Sequence, residues 1–218
     1  MNQSSIDQQL SELSSAVKQG NRTQAKELCE SLLKSGVGPD RALEAMVQAM
    51  DEIGQLFQRK EIFVPQMLVA ARAMSESMAL LEPKLLAAGI KPKYRALIGT
   101  VAGDVHDIGK NLVAMMWKGA GFDVIDLGTN VPAAKFLEVA QQEQPNLIGL
   151  SALLTTTMPA IKSTVEALAP VRSAGVRVVV GGAPVTQSFA DEIGADGYAT
   201  DAACAVEVAR QLVDADAS

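Results

Sequence analysis

The spacing of apolar residues changes once along this 218-residue chain, near residues 88–95, and that change limits the fold more than any other feature. Before it, every periodic segment repeats at helical spacing. Ile6, Leu10, Leu13 and Val17 form the first, ended by Gly20, and Ala25, Leu28, Cys29, Leu32 and Leu33 the second, ended by Ser35-Gly36. A third opens at Gly38-Pro39-Asp40, where proline suits a first helical turn, and carries Ala42, Ala45, Met46, Met50, Ile53, Leu56 and Phe57. The fourth spans about Val64 to Leu86, with Met67, Leu68, Ala71, Met74, Met78 and Leu81. Four amphipathic helices with short connections predict a small antiparallel bundle. The polar stretch AGIKPKY, Ala88 to Tyr94, then reads as a linker. Beyond it, β-rich runs at 95–101, 123–127, 147–153, 177–180 and 197–199 alternate with helical stretches at 109–120, 132–143, 157–174, 186–193 and 202–214. That alternation predicts βαβ units, right-handed crossovers and a parallel sheet covered on both faces. The expected architecture is α/β: a helical domain over 1–90, then a doubly wound five-stranded domain over 91–218.

Composition narrows the function. The chain is 48% hydrophobic but only 4% aromatic, so its core is built from Ala, Val, Leu, Ile and Met. The net charge is −6 and no basic stripe appears, which argues against nucleic acid, whose phosphates need clustered Lys and Arg. Two distant cysteines, Cys29 and Cys204, form neither a disulfide framework nor a thiolate metal site. The segment MNQSSIDQQL has no basic or apolar region of a signal peptide. No apolar run reaches the roughly 18 to 20 residues of a membrane helix. A cytoplasmic protein without membrane partners is expected.

A doubly wound sheet binds ligands at the carboxyl ends of its strands. Four segments fall there: GDVHDIGKN (Gly103 to Asn111), SALLTTT (Ser151 to Thr157), GGAPV (Gly181 to Val185) and ADGYATDA (Ala195 to Ala202). The first holds His106, the single histidine of the chain. One imidazole excludes multi-histidine metal sites, and no other ligands stand at zinc spacing. A Ser-His-Asp triad with Ser151 lacks its G-x-S-x-G elbow. The dinucleotide fingerprint is absent, and Gly109-Lys110 is followed by Asn111 rather than completing a phosphate loop. Two readings stay open: a surface histidine capped by local aspartates, or a single ligand to a metal that brings its other ligands as a macrocycle. In the second, Asp104 is placed to accept the other imidazole N–H.

GDVHDIGKN, together with Ser151-Ala152-Leu153 and Gly181-Gly182 in that order and spacing, resembles the cobalamin-binding module of corrinoid methyl carriers. These include the corrinoid proteins of methylamine, methanol and aryl-methyl-ether methyltransferase systems, and the cobalamin region of methionine synthase. The resemblance covers nearly the whole chain and implies a Rossmann-like cobalamin-binding fold under a helical cap. It implies cobalamin bound with its dimethylbenzimidazole displaced, His106 as the lower axial cobalt ligand and Asp104 as the partner of its imidazole. Thr157 stands where the methionine synthase module places a serine that extends this hydrogen-bond chain. Gly103, Val105, Asp107, Ile108 and Gly109 complete the loop, Gly109 lying where the nucleotide tail passes close to backbone. Ser151, Leu153 and Thr155 would line the tail channel, with Gly181 and Gly182 allowing close approach and Tyr198 to Ala202 closing the far wall. Phe57 and Val64, seven residues apart, match cap positions that shield the methyl face.

The function so implied is a methyl carrier. One substrate-specific methyltransferase would load the cofactor, and a second would unload it, to tetrahydrofolate or a similar acceptor. A reductive activation protein belongs to such systems. The chain itself would be a shuttle, with catalysis supplied by its partners. The alternative is a cobalamin-dependent sensor, but the cap tryptophan of such relatives has no counterpart: Trp117, the single tryptophan, lies in the first helical stretch after the linker.

Overall fold

The computed structural model describes residues 3–215. They divide into two compact units, one running to Pro92 and including Lys118–Gly121, the other formed by Lys93–Trp117 and the chain from Phe122 onward.

The first unit contains α1 (Gln3–Lys18), α2 (Arg22–Lys34), α3 (Pro39–Gln58) and α4 (Val64–Ala87). Most of its interior comes from the set the helical spacing selects, though Leu68 of that set is exposed. Leu13 and Val17 of α1, Leu32 of α2, Met46 and Met50 of α3, and Met67, Met74 and Leu81 of α4 are all buried. α1 packs on α2 and α3, and α4 packs on the same two helices. Alanines between the large residues (Ala42, Ala45, Ala49, Ala70, Ala71, Ala73) let the helices approach closely. The α1–α2 turn is specified locally. Asn21 caps α2 by accepting from the Gln24 N–H at 3.2 Å, which satisfies one of the free first-turn donors. Gly20 has φ +70°, and a Cβ there would lie 2.7 Å from the Val69 side chain, so only glycine fits.

The second unit is a parallel sheet of β1 (Arg95–Thr100), β2 (Asp123–Asp126), β3 (Leu147–Ser151), β4 (Arg177–Gly181) and β5 (Gly197–Ala199), in the order β2-β1-β3-β4-β5. The connecting helices are α5 (Ile108–Gly119), α6 (Ala133–Glu143), the pair α7 (Met158–Ala167) and α8 (Ala169–Arg172), and α9 (Gln187–Glu192), with α10 (Ala202–Ala215) last. The stretch 157–174, expected as one helix, is broken. A 3-10 turn at Thr155–Thr157 precedes α7, and the helix interrupts at Leu168. Pro170 explains the interruption, because it has no N–H to continue the ladder.

Two aromatics are admitted through glycines in neighbouring strands. A Cβ on Gly99 of β1 would meet the Phe136 ring of α6 at 2.7 Å, and a Cβ on Gly149 of β3 would meet the Trp117 ring of α5 at the same distance. Phe136 belongs to the cluster of Leu97, Ile148, Val178, Ile161 and Val165. Trp117 donates its ring N–H to the Ala205 carbonyl at 3.0 Å, tying α5 to α10. This satisfies the one polar atom of a fully buried indole. Among the described residues no helix is long and apolar enough to cross a membrane.

The strand order decides where a ligand can enter. From β1 the chain passes outward to β2, then returns across β1 to β3. The loops leaving β1 and β3 therefore diverge, and the crevice of a doubly wound sheet opens between their carboxyl ends.

Candidate functional site

The loop after β1 is built around a carboxylate. Asp104 is fully buried, and five donors converge on it. Its Oδ1 accepts from the His106 backbone N–H at 3.0 Å and lies 2.8 Å from the His106 ring Nδ1. Its Oδ2 accepts from the Leu153 N–H at 2.7 Å, the Leu154 N–H at 3.3 Å and the Thr157 hydroxyl at 2.8 Å. Leu153, Leu154 and Thr157 all lie just beyond β3, so one side chain joins the two loops that flank the crevice. This also explains why β3 ends at Ser151, short of the expected Leu153: the next two free N–H groups turn to Asp104.

The electrostatics follow. Burial opposes the charge on Asp104, but the Leu153 and His106 N–H groups, the Thr157 hydroxyl and the His106 ring outweigh it, holding the carboxyl well below the usual carboxylate range. An ionised carboxylate only accepts, so Nδ1 of His106 must carry the hydrogen between them. In the neutral ring the tautomer is thereby set, with the lone pair on Nε2. The His106 side chain is 46% exposed, so the ring is reachable from solvent.

Further contacts fix the backbone that carries His106. The buried Thr100 hydroxyl donates to the His106 carbonyl at 2.9 Å. Gly103 (φ +84°) donates its N–H to Asn130 Oδ1 at 2.8 Å, and the Asn130 N–H donates to the Asp104 carbonyl at 2.9 Å. Sequence reading missed Thr100 and Asn130. Threonine inside a strand is ordinary, and Asn130 announces itself only through its own left-handed φ of +54°.

The other candidate residues lie in five places along the chain. Val105 and Ile108 flank His106 and are 70% and 85% exposed, while Leu153 and Leu154 are exposed on the facing loop. These four exposed apolar side chains lie on the two loops that Asp104 joins. Asp107 and Gly109 are exposed, and nothing lies within 4 Å of where a Gly109 side chain would begin. Ser151 pairs with Gly181 across β3 and β4, and Thr155 is exposed in the 3-10 turn. Gly182, at φ +125°, passes so close to β3 that a Cβ would fall 1.8 Å from the Ala152 carbonyl oxygen, so only glycine fits. Tyr198, beside Val180 in β5, packs against the core, and Ala202 is buried in the first turn of α10. Phe57 and Val64 belong to the helical unit, where they bracket the α3–α4 connection; Phe57 is half-buried and Val64 exposed.

A corrinoid can be tested against these residues. It needs one protein nitrogen with a free lone pair and its other ring nitrogen anchored, with apolar surface around it for a flat macrocycle. His106, Asp104 and the surrounding Val105, Ile108, Leu153 and Leu154 meet each requirement.

Comparison with known proteins agrees. Residues 94–207 match the B12 binding domain model, and residues 9–82 match a second B12 binding domain model. The chain is 44% identical over 184 residues to dimethylamine corrinoid protein 3 of Methanosarcina acetivorans, covering 83% of this chain and 85% of that protein. It is 38% identical over 209 residues to a corrinoid protein of Desulfitobacterium hafniense, covering 94% and 97%. A chain of the methanol:cobalamin methyltransferase complex of Methanosarcina barkeri superposes with a TM-score of 0.84 at 29% identity, covering 95% of this chain and 80% of that one. This chain belongs to the B12-binding family, among relatives that are corrinoid proteins.

Proposed function

We propose that the protein binds cobalamin with its benzimidazole displaced and His106 as the lower axial ligand, and carries a methyl group between two methyltransferases. The observation that carries this reading is the Asp104–His106 pair: a buried, ionised acceptor holds Nδ1–H and leaves Nε2 available at an exposed surface. When bound, cobalt would supply the centre that takes up and releases the methyl group. The chain's own residues hold and orient. Asp104 keeps the imidazole in one tautomer and one plane, and Thr157 keeps Asp104 in place. Val105, Ile108 and Leu153 offer apolar surface to the macrocycle. Gly109 and Gly182 leave the backbone bare where the tail passes, with Ser151, Thr155 and Gly181 along the channel and Tyr198 to Ala202 as its far wall. Phe57 and Val64 of the helical unit would cover the methyl face.

The loading partner is a methyltransferase for a small methylated compound; the names of the dimethylamine and methanol relatives support that class. The unloading partner passes the methyl group to tetrahydrofolate or a similar acceptor, and a reductive activation protein restores the cofactor after oxidation. The setting is the cytoplasm. The test is electron paramagnetic resonance of the protein loaded with cob(II)alamin. The wild type should show coupling to a histidine nitrogen, and His106→Ala should lose it. Histidine-nitrogen coupling, identified with 15N-labelled histidine, unchanged by His106→Ala would overturn axial ligation by this residue. Multiple methyl-transfer turnovers by the isolated chain would overturn the carrier role.

A further inference from the structure

Asp104 accounts for one side of the His106 loop. The other side ends in a buried cation that nothing above uses. Lys110 is 3% exposed, although its neighbours Asp107, Ile108, Gly109 and Asn111 are all exposed. Burying an ammonium is costly unless it is paired. Its Nζ is bonded to Asp126 Oδ2, at the end of β2, and donates to Asn111 Oδ1 at 2.7 Å. The Asn111 amide in turn donates to Asp107 Oδ2 at 3.0 Å. On the strand side, Asp126 Oδ1 accepts from the Gly128 N–H at 2.8 Å, and the Gly128 carbonyl accepts from the Thr100 N–H at 2.9 Å. Thr100 holds the His106 carbonyl. The contacts therefore close a ring: His106 to Asp107, Asn111, Lys110, Asp126, Gly128, Thr100 and back to His106.

We infer that Lys110, through Asp126, is a positioning residue for His106: it clamps the first turn of α5 to the loop leaving β2 and so holds the imidazole where it can ligate. The inference rests on the proposed axial role of His106. It gives Asp107 a part as well, as the last link before His106. The two aspartates beside the imidazole then divide the work. Asp104 orients the ring and ties it to the loop after β3, while Asp107 joins the chain that ties the loop backbone to β2.

The test uses the full chain and two readouts. In the apo protein, amide hydrogen exchange is followed over residues 103–111 and 126–131. Lys110→Met keeps the side-chain length without the charge and leaves Asp126 Oδ2 without its cation. It should speed exchange in both segments by about tenfold, as expected when a buried polar partner is lost, and leave the α9 segment unchanged. In protein loaded with cob(II)alamin, the fraction showing histidine-nitrogen coupling should fall, and Lys110→Arg should restore part of it. If Lys110→Met does not fold, Asp126→Asn, which keeps the acceptor for Gly128, should show the same two changes. Unchanged exchange, or a nitrogen-coupled fraction equal to wild type, overturns the inference. Absence of nitrogen coupling in the wild type would instead overturn the axial role of His106, and the exchange result would still decide whether Lys110 holds the loop.

Discussion

Glu76 in the helical unit and Asp104 in the α/β unit are both carboxylates held below the usual range, by opposite physics. Glu76 sits on the surface of α4, its side chain 29% exposed, with Lys26 and Arg22 both at 2.9 Å and Arg72 at 3.3 Å. The hydrogen bond from Lys26, then that from Arg22, brings its pKa down to about 2. Among the described residues, no lysine or arginine pairs with Asp104. Buried, it is held ionised chiefly by two backbone N–H groups and a hydroxyl. Surface charge pairs are screened by salt and contribute little; fixed dipoles around a buried charge are neither screened nor replaceable. The helical unit thus uses charge as decoration on an apolar bundle, while the α/β unit uses one charge as the pin between two loops.

The largest test of that contrast is Asp104→Ala. It strands three donors of the loop after β3 and two of His106, each buried donor costing about 1–3 kcal/mol. Unfolding in urea should show a loss of about 3 kcal/mol or more by the same count; a loss like that of a surface substitution would break the comparison. Next is Thr157→Val, which keeps the shape and removes one donor to Asp104. About 1 kcal/mol should be lost, with cobalamin binding kept. The smallest effect is expected for Glu76→Gln, and it should disappear at about 1 M salt, where the screening length is only about 3 Å. The pH dependence separates the two further. A depressed carboxylate stabilises the fold above its unfolded pKa and loses that contribution as pH falls through the folded one. Glu76 should therefore lose its contribution between about pH 4.5 and about pH 2, in a manner that salt weakens. The Asp104 contribution, also lost only in acid, should be indifferent to salt. Equal salt sensitivity at both sites would remove the distinction.

The helical unit was legible because its stability is a matter of period. The spacing of Leu13, Met46, Met74 and their neighbours selects a buried face without reference to the rest of the chain. The alternation after residue 94 likewise announced a parallel sheet. The split of 157–174 at Leu168 is also written locally, in Pro170, but the apolar spacing continues through it and masks the break. At the site, the residue types could be read from GDVHDIGKN and its companion motifs. The Lys110–Asp126 pair could not, because sixteen residues and a whole helix separate the partners and neither is unusual alone.

What the sequence determined by itself was the class of each half, the loop that carries chemistry and the single imidazole in it. Those follow from local rules: periodicity, turn residues and the count of possible ligands. Only the tertiary structure decided the strand order that sets the β1 and β3 loops across one crevice, the five donors on Asp104 and the burial of Lys110. The physical reason is burial. A carboxylate or an ammonium can stay charged out of water only where the fold brings it partners from elsewhere in the chain, and no stretch of sequence carries its distant partners with it.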